Sequence, residues 1–314
     1  HLAPEELARL IEGVRGLWPA TRDLRETTLE ANPDDVTPER AAAWVAAGID
    51  RVSLGVQSFV PAVLSWMHRV HTAEQAREAL KALRGAGIKN VSLDLIYALP
   101  PELERDWARD LDQALALEPD HLSRYGLTVE PHTPLSRWVE GKKAMVADED
   151  RYADEFLLAH GRLTAAGYEH YEVSNYGKPG RRAIHNSAYW QRRPFLGLGP
   201  SAHSAMDDRR WWNVREYAAW LEAGGETARR RDGEEYPATV AGWETIDPDR
   251  RRIEDLYLGL RTSEGVPVEL IPPAIMEQWM EAGWVTTASA PQRQSAVLTV
   301  EGWLRLDALV AAVA

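Results

Sequence analysis

Four polar residues sit in or at the ends of apolar, β-branched runs: Glu30 after TTL, Gln57 in GVQSF, Asp94 within VSLDLIY and Glu130 in LTVE. Parallel strands deliver such residues to one end of a sheet, where βα folds build their sites. One such residue alone commonly does no more than cap the following helix. Four on successive strands point to a functional rim. Asp94 is the sharpest of them, because a carboxylate inside an apolar strand is costly to bury unless it is paired or binds something. Arg69, in the preceding loop, is a candidate partner. MHRVH at 67–71 places His68 and His71 three apart, a spacing that can ligate a metal, but no acidic ligand is near in sequence. Histidines in loops more often serve as plain hydrogen-bonding groups. In HNSAYW, His185 with Tyr189 and Trp190 brings together an imidazole and flat aromatic surface, the parts of an axial haem site. By residue type alone, a buried histidine among aromatics is the simpler reading. GLGPSAH at 197–203 has neither a Walker lysine nor a GxGxxG fingerprint, so its phosphate signal is weak.

The elements that must position these residues alternate. Strands are predicted over 26–30, 51–58, 90–99 and 121–130, with helices over 3–16, 37–49, 73–88 and 104–116. Thr37 is a suitable N-cap, followed by Pro38 at the first helical position and Glu39 in the first turn. Repeated β–α order implies parallel strands in an open sheet or an incomplete barrel, since four strands fall short of a closed barrel's eight. The chain opens on a helix, so a first strand is expected to be missing. Beyond 131 the pattern changes to a long helix over 147–166, strand-like YEHYEVSN and FLGLG, and loops at 207–210 and 229–235. From about 249, two helices, a hairpin over 285–300 and a last helix suggest a small winged-helix-like domain. The expected division is 1–212 and 213–314.

Composition narrows the function classes. Of 314 residues, 45% are hydrophobic and 27% charged, as in globular proteins. A formal charge of −12 argues against broad binding to nucleic-acid backbones, which needs clustered Lys and Arg. No apolar run approaches the roughly 18 residues of a membrane span. The start, HLAPEELARLIEGV, lacks a basic stretch followed by an apolar one, so no secretion signal is read there and a cytoplasmic location is expected. There is no cysteine, hence no disulfide, thiolate ligand or cysteine nucleophile in this chain.

LEANPDDVT, RVSLGVQSF, HRVH, VSLDLIYALP, HLSRYGLTVEPHTPL, GYEHYEVSNYGKPG, HNSAYW and LGLGPSAHS occur in this order with sensible spacing. Each is weak alone. Together they resemble the coproporphyrinogen oxidase-like branch of the radical S-adenosylmethionine family, across nearly the whole chain. HNSAYW is similar to the HNxxYW motif of that branch's HemW-type haem chaperones, where it is associated with haem binding. The resemblance implies an incomplete radical-SAM (β/α) barrel, TIM-barrel-like and holding that barrel's third to sixth strands, with a small C-terminal domain. It implies that Glu30, Gln57, Arg69 and Asp94 contact S-adenosylmethionine. It implies that His185, Asn186, Tyr189 and Trp190 form the haem motif, with His185 as ligand to the haem iron. A protein that accepts haem is the implied partner, and transient contact with a membrane protein is compatible with that role.

The departures matter as much. Family members carry CxxxCxxC after the first strand, which holds a [4Fe–4S] cluster, and a Gly-rich GGTPS-type turn after the second. This chain opens at what looks like the helix beyond that turn, and reads as N-terminally truncated. Without thiolates it has no ordinary ligation of the cluster, and by itself is expected not to cleave S-adenosylmethionine. Pro101 in ALPPE replaces a usual Gly. Three other readings remain open at this point. One is a radical enzyme that oxidatively decarboxylates coproporphyrinogen III. Another is a non-catalytic remnant. The last is a metal-dependent barrel hydrolase built on His68, His71 and Asp94.

Overall fold

The computed structural model describes residues 2–142, 144–225, 227–229, 235–290 and 293–313, and the chain divides into two compact units, His1–His185 and Asn186–Ala314. In the first unit, α1 (Pro4–Leu17) precedes β1 (Thr28–Ala31), α2 (Pro38–Ala47), β2 (Arg51–Gln57), α3 (Pro61–Trp66), α4 (Ala73–Ala86) and β3 (Asn90–Tyr97). Next come α5 (Trp107–Ala116), β4 (His121–Gly126), α6 (Pro134–Glu140), α7 (Glu149–Ala165), β5 (Glu169–Glu172) and β6 (Asn175–Gly177). Caps set the helix limits as the sequence implies. Thr37 Oγ1 accepts the Arg40 amide at 3.2 Å, and Gly48, at φ 94°, ends α2 in the left-handed region that Gly enters without penalty.

The strands form one sheet in the order β1-β2-β3-β4-β6-β5, with β1 to β4 parallel and β6 antiparallel to β4. Its two faces are unlike. Val52, Leu54, Val56, Val91, Leu93 and Leu95 are at most 1% exposed and form the apolar face. The alternate positions read Thr28 and Glu30, Arg51 and Ser53, Asn90, Ser92 and Asp94, then His121, Ser123 and Tyr125. Because side chains alternate along a strand and paired residues share a face, register makes these one polar face. Arg124 is the exception on the apolar side. Its guanidinium lies 3.8 Å from the Phe156 ring centre and donates to the Tyr176 hydroxyl at 2.9 and 3.1 Å.

A buried ionic cluster holds the loops that leave β2 and β3. Asp110 accepts the Ser58 hydroxyl at 2.6 Å and the Phe59 amide at 3.0 Å. Glu155 accepts the Ala98 amide and Arg105 Nη2, both at 2.7 Å, while Arg105 Nη1 donates to the Ile96 carbonyl at 2.8 Å. Each charge thus has a partner, as burial requires.

Helix α8 (Ile184–Trp190) crosses the division between the units. The second unit contains β7 (His203–Met206), β8 (Arg209–Asn213), α9 (Tyr217–Glu222), β9 (Thr227–Arg229), β10 (Glu235–Pro237) and β11 (Val240–Thr245). It ends with α10 (Pro248–Leu260), β12 (Val266–Pro267), α11 (Pro273–Glu281), β13 (Val285–Ala290), β14 (Arg293–Leu298), α12 (Val300–Trp303) and α13 (Leu306–Ala311). The last six elements with α10 set helices around a three-stranded sheet, β12-β14-β13.

Several expectations shift. The strand expected over 121–130 stops at Gly126, which leaves Glu130 exposed in the following turn, where its carbonyl accepts the Thr133 hydroxyl at 2.7 Å. YEHYEVSN is a hairpin, β5 and β6, that joins the main sheet antiparallel. FLGLG makes only an isolated bridge, Phe195 to Ala205. The loop expected at 207–210 is a two-residue turn, and Arg209 and Arg210 already belong to β8. Of the loop expected over 229–235, residues 230–234 lie outside the described residues. A domain boundary at 212/213 would cut β8 before its last residue, although that strand is the middle of the sheet β11-β8-β7, so the compact units meet at 185/186 instead.

Candidate functional site

Asp94 stands at the centre of the polar face. Its carboxylate accepts the Ser53 hydroxyl at 3.0 and 3.1 Å, and the Ser92 hydroxyl approaches Oδ1 at 3.5 Å. Loss of hydration pushes its pKa up to about 6, against the pull of hydrogen bonds from Ser123 and Ser53 and of the Arg51 charge, while Glu30 adds to the rise. Arg69 is not its partner. The Arg69 Nη1 group donates instead to Asn32 Oδ1 at 2.9 Å.

A second group of residues gathers where β2 ends. Gln57 is buried and holds φ 65°, in the left-handed region that non-glycine residues rarely enter, and the register between β2 and β3 shifts there. Gly55 makes the room. A Cβ at this position would stand 2.9 Å from Gln57 Nε2 and 3.6 Å from Asn32 Oδ1. Gln57, Asn32 and, through Asn32, Arg69 are therefore neighbours. Glu30, at the end of β1, is exposed. The chain thus offers carboxylates at Glu30 and Asp94, an amide at Gln57 and a guanidinium at Arg69. That donor set suits a zwitterion with hydroxyls, since carboxylates receive ammonium and hydroxyl donors while a guanidinium receives a carboxylate.

The histidines of MHRVH go to other tasks. His71 is buried, hydrogen-bonds through Nε2 to the Val56 carbonyl at 3.1 Å, and has its pKa lowered chiefly by burial. His68 packs on Trp138 with ring centres 5.6 Å apart. Among the described residues no group of three or more potential ligands could hold a metal ion, which removes the basis for the hydrolase reading.

The HNSAYW segment is helix α8. Glu26 fixes its start: the two carboxylate oxygens accept the Ile184 and His185 amides, each at 3.0 Å. Arg51 Nε lies 3.9 Å from the same carboxylate, and both side chains are nearly buried. The Ala183 amide donates to the Tyr171 hydroxyl at 3.2 Å, which also bonds His121 Nε2 at 2.8 Å, and His121 Nδ1 meets the Ser92 hydroxyl at 2.8 Å. Burial lowers the His121 pKa well below the usual value, so the imidazole is neutral. The His185 side chain is exposed. In the second unit, Tyr189 stands edge-on to Phe195 at 4.7 Å, and the Arg261 guanidinium lies 3.8 Å over the Trp190 ring. Asn186 is half-buried in the same helix.

Sequence reasoning missed Glu26, Arg51, Asn32 and the serine and histidine rows. Their signal was present. Arg51, Ser53, Gly55 and Gln57, like Asn90, Ser92 and Asp94, alternate with apolar residues inside strands that look uniformly apolar at first sight.

A family model described as the radical SAM superfamily matches residues 3–114. The chain is 37% identical over 310 residues to the Heme chaperone HemW of Mycobacterium tuberculosis, covering 98% of this chain and 76% of that protein. It is 39% identical over 205 residues to the Heme chaperone HemW of Escherichia coli, covering 65% and 53%. The fold is similar to that of the Escherichia coli coproporphyrinogen III oxidase HemN, with a TM-score of 0.74 over 99% of this chain and 74% of that one. At 18% identity, that likeness shows the fold alone. With more than a third of its residues identical across three-quarters of a curated relative, the chain belongs to the HemW family of radical SAM proteins.

Proposed function

We propose that this chain carries the haem-handling and S-adenosylmethionine-binding residues of a HemW-type haem chaperone, with His185 as ligand to the haem iron. The observation that carries this reading is helix α8. Its first turn is pinned by Glu26 and preceded by the Tyr171 anchor, while the His185 side chain remains exposed. An imidazole fixed at its backbone on an exposed residue is suited to take up and release an iron porphyrin. Asn186, Tyr189 and Trp190 complete the motif and supply aromatic surface. Haem here is cargo, passed to an accepting protein.

S-adenosylmethionine fits the polar face. Asp94 and Glu30 would receive its hydroxyl and ammonium donors, Arg69 its carboxylate, and Gln57 would complete the contacts beside Gly55. In the family this cofactor is paired with a [4Fe–4S] cluster that supplies an electron. No residue of this chain is a cysteine, so none of its groups supplies a thiolate for that cluster. Among the described residues no helix is long and apolar enough to cross a membrane.

Haemin titration followed by visible absorption tests the haem reading. A saturable Soret shift is expected, and His185→Ala should weaken binding by at least about tenfold, the scale of losing one good ligand interaction. A shift unchanged by that substitution would remove His185 from the site.

A further inference from the structure

At the base of the parallel strands, opposite the end that carries Asp94 and Gln57, the first unit contains a cavity of about 490 Å³. Arg25, Lys89, Arg181 and Arg182 line it, together with Asn90 and Ile184. The two carboxylates on its wall are already engaged. Glu26 holds the start of α8 and faces Arg51, and Asp50 Oδ1 accepts the Thr27 amide at 2.9 Å. Two of the cations are partly engaged: Arg182 Nε donates to Glu169 at 3.0 Å, and Arg181 Nε lies 3.9 Å from Asp120. Arg25 and Lys89 have no acidic partner among the described residues. Beside them runs a row of polar atoms that are buried without hydrogen-bond partners: Thr28 Oγ1, Arg51 Nε and Asn90 Oδ1. Register places these three residues side by side on one face, and the Arg51 side chain is only 5% exposed. Of these, the Arg51 Nε–H and the Thr28 hydroxyl are donors without a hydrogen-bond acceptor, the kind of group that a ligand carboxylate satisfies.

We propose that this basic cavity is an anion subsite that receives the carboxylates of the porphyrin whose iron His185 holds. The inference rests on the haem reading above and adds the subsite that fixes the ring's polar edge. Chemistry selects this ligand. The cavity has an excess of cations over free acids, and guanidinium groups bind carboxylates in fork-like pairs. The one apolar side chain in the lining, Ile184, directly precedes His185 in the chain, and the amides of Ile184 and His185 share one carboxylate. A ligand that spans cations, an aliphatic contact and an imidazole must carry acid groups, an apolar body and a Lewis-acidic centre in that order. An iron porphyrin with two propionates on one edge has this composition.

The test uses the full chain and two iron-free probes, protoporphyrin IX and its dimethyl ester, titrated by fluorescence. Haemin titration by absorption is run in parallel. Arg25 and Lys89 are exposed, so the double variant Arg25→Ala/Lys89→Ala should fold, and its melting curve checks this. Wild type is expected to bind the diacid at least about tenfold tighter than the ester, and the double variant to lose about tenfold for the diacid alone. Arg25→Lys/Lys89→Arg, which keeps both charges, should retain most of the affinity. Equal binding of diacid and ester by wild type, or a double variant that binds the diacid unchanged, overturns the proposal. If haemin binding depends on His185 but not on these cations, the subsite falls and the chaperone reading stands. If the diacid binds through the cations while His185→Ala leaves haemin binding intact, the iron ligand falls and the subsite stands. If no porphyrin binds, both fall.

Discussion

Asp94 shows how one residue's environment sets its chemistry. The carboxylate is held by hydroxyls yet robbed of water, and desolvation wins, so its pKa rises to about 6. Above that pH it is ionised and can accept the ammonium or hydroxyl donors of a ligand. Below it, it is protonated and gives up part of that capacity. S-adenosylmethionine affinity should therefore be flat above about pH 7 and fall by up to tenfold per unit as pH drops below 6. Isothermal titration at pH 5, 6 and 7.5 would show this, with proton release on binding near pH 6. Asp94→Asn should bind more weakly at pH 7.5 and lose the pH dependence. A wild-type affinity that does not change between pH 5 and 7.5 would show that the ionised carboxylate is not used. The same shift has the opposite sense for folding. The folded state binds this proton more tightly than the unfolded chain, so the ionised carboxylate opposes folding as pH rises from the ordinary value of 3.8 through 6. The residue is retained against that cost, as expected of a group kept for binding.

At the scale of elements, the end of β2 is built around an absence. Gly55 keeps its Cα face bare so that the Gln57 amide and Asn32 can occupy the space, and Gln57 takes φ 65° to do so. Gly55→Ala should displace the end of the Gln57 side chain, which is flexible, more than the backbone. The expected result is a loss of S-adenosylmethionine affinity of about threefold to thirtyfold with a stability change of about 1 kcal/mol or less, since the clash falls on a movable group. Binding and chemical denaturation on the same variant would separate the two effects. A large stability loss with unchanged affinity would make Gly55 a packing residue. This element also shows what the sequence made legible. The order of strands and helices, their caps and the polar residues at Glu30, Gln57 and Asp94 follow from local pattern and turn chemistry, and the structure has them nearly in place. What could not be read was pairing across the sheet. Ser92, His121 and Tyr171 become one hydrogen-bonded row, and Ser53 a donor to Asp94, only through register, which links residues tens of positions apart. Arg69 pairs with Asn32 rather than Asp94 for the same reason, because the turn after β1 presents Asn32 to it. Glu130 lies off the sheet because LTVE has strand-like composition but no strand beside it beyond Gly126.

For the whole molecule, the decisive feature is a mismatch between the sites it builds and the ligands it lacks. The polar face has the donor set for a zwitterionic cofactor, and the chain belongs to a radical SAM family, yet it contains no cysteine. Reductive cleavage of a sulfonium needs an electron delivered beside it. A [4Fe–4S] cluster relies on thiolates for its ordinary ligation, and three histidines of the first unit are engaged elsewhere: His71 on a backbone carbonyl, His121 on a serine and a tyrosine, and His68 against Trp138. Cofactor binding and cofactor cleavage should thus separate in this chain. After anaerobic reconstitution with iron and sulfide and addition of a strong reductant, S-adenosylmethionine is expected to bind without yielding 5′-deoxyadenosine above the protein-free background, and the Asp94→Asn variant should bind more weakly without changing that yield. Appearance of 5′-deoxyadenosine in proportion to this chain would mean that its nitrogen and oxygen donors hold a reducing cluster, and would overturn the assignment of the polar face to binding alone.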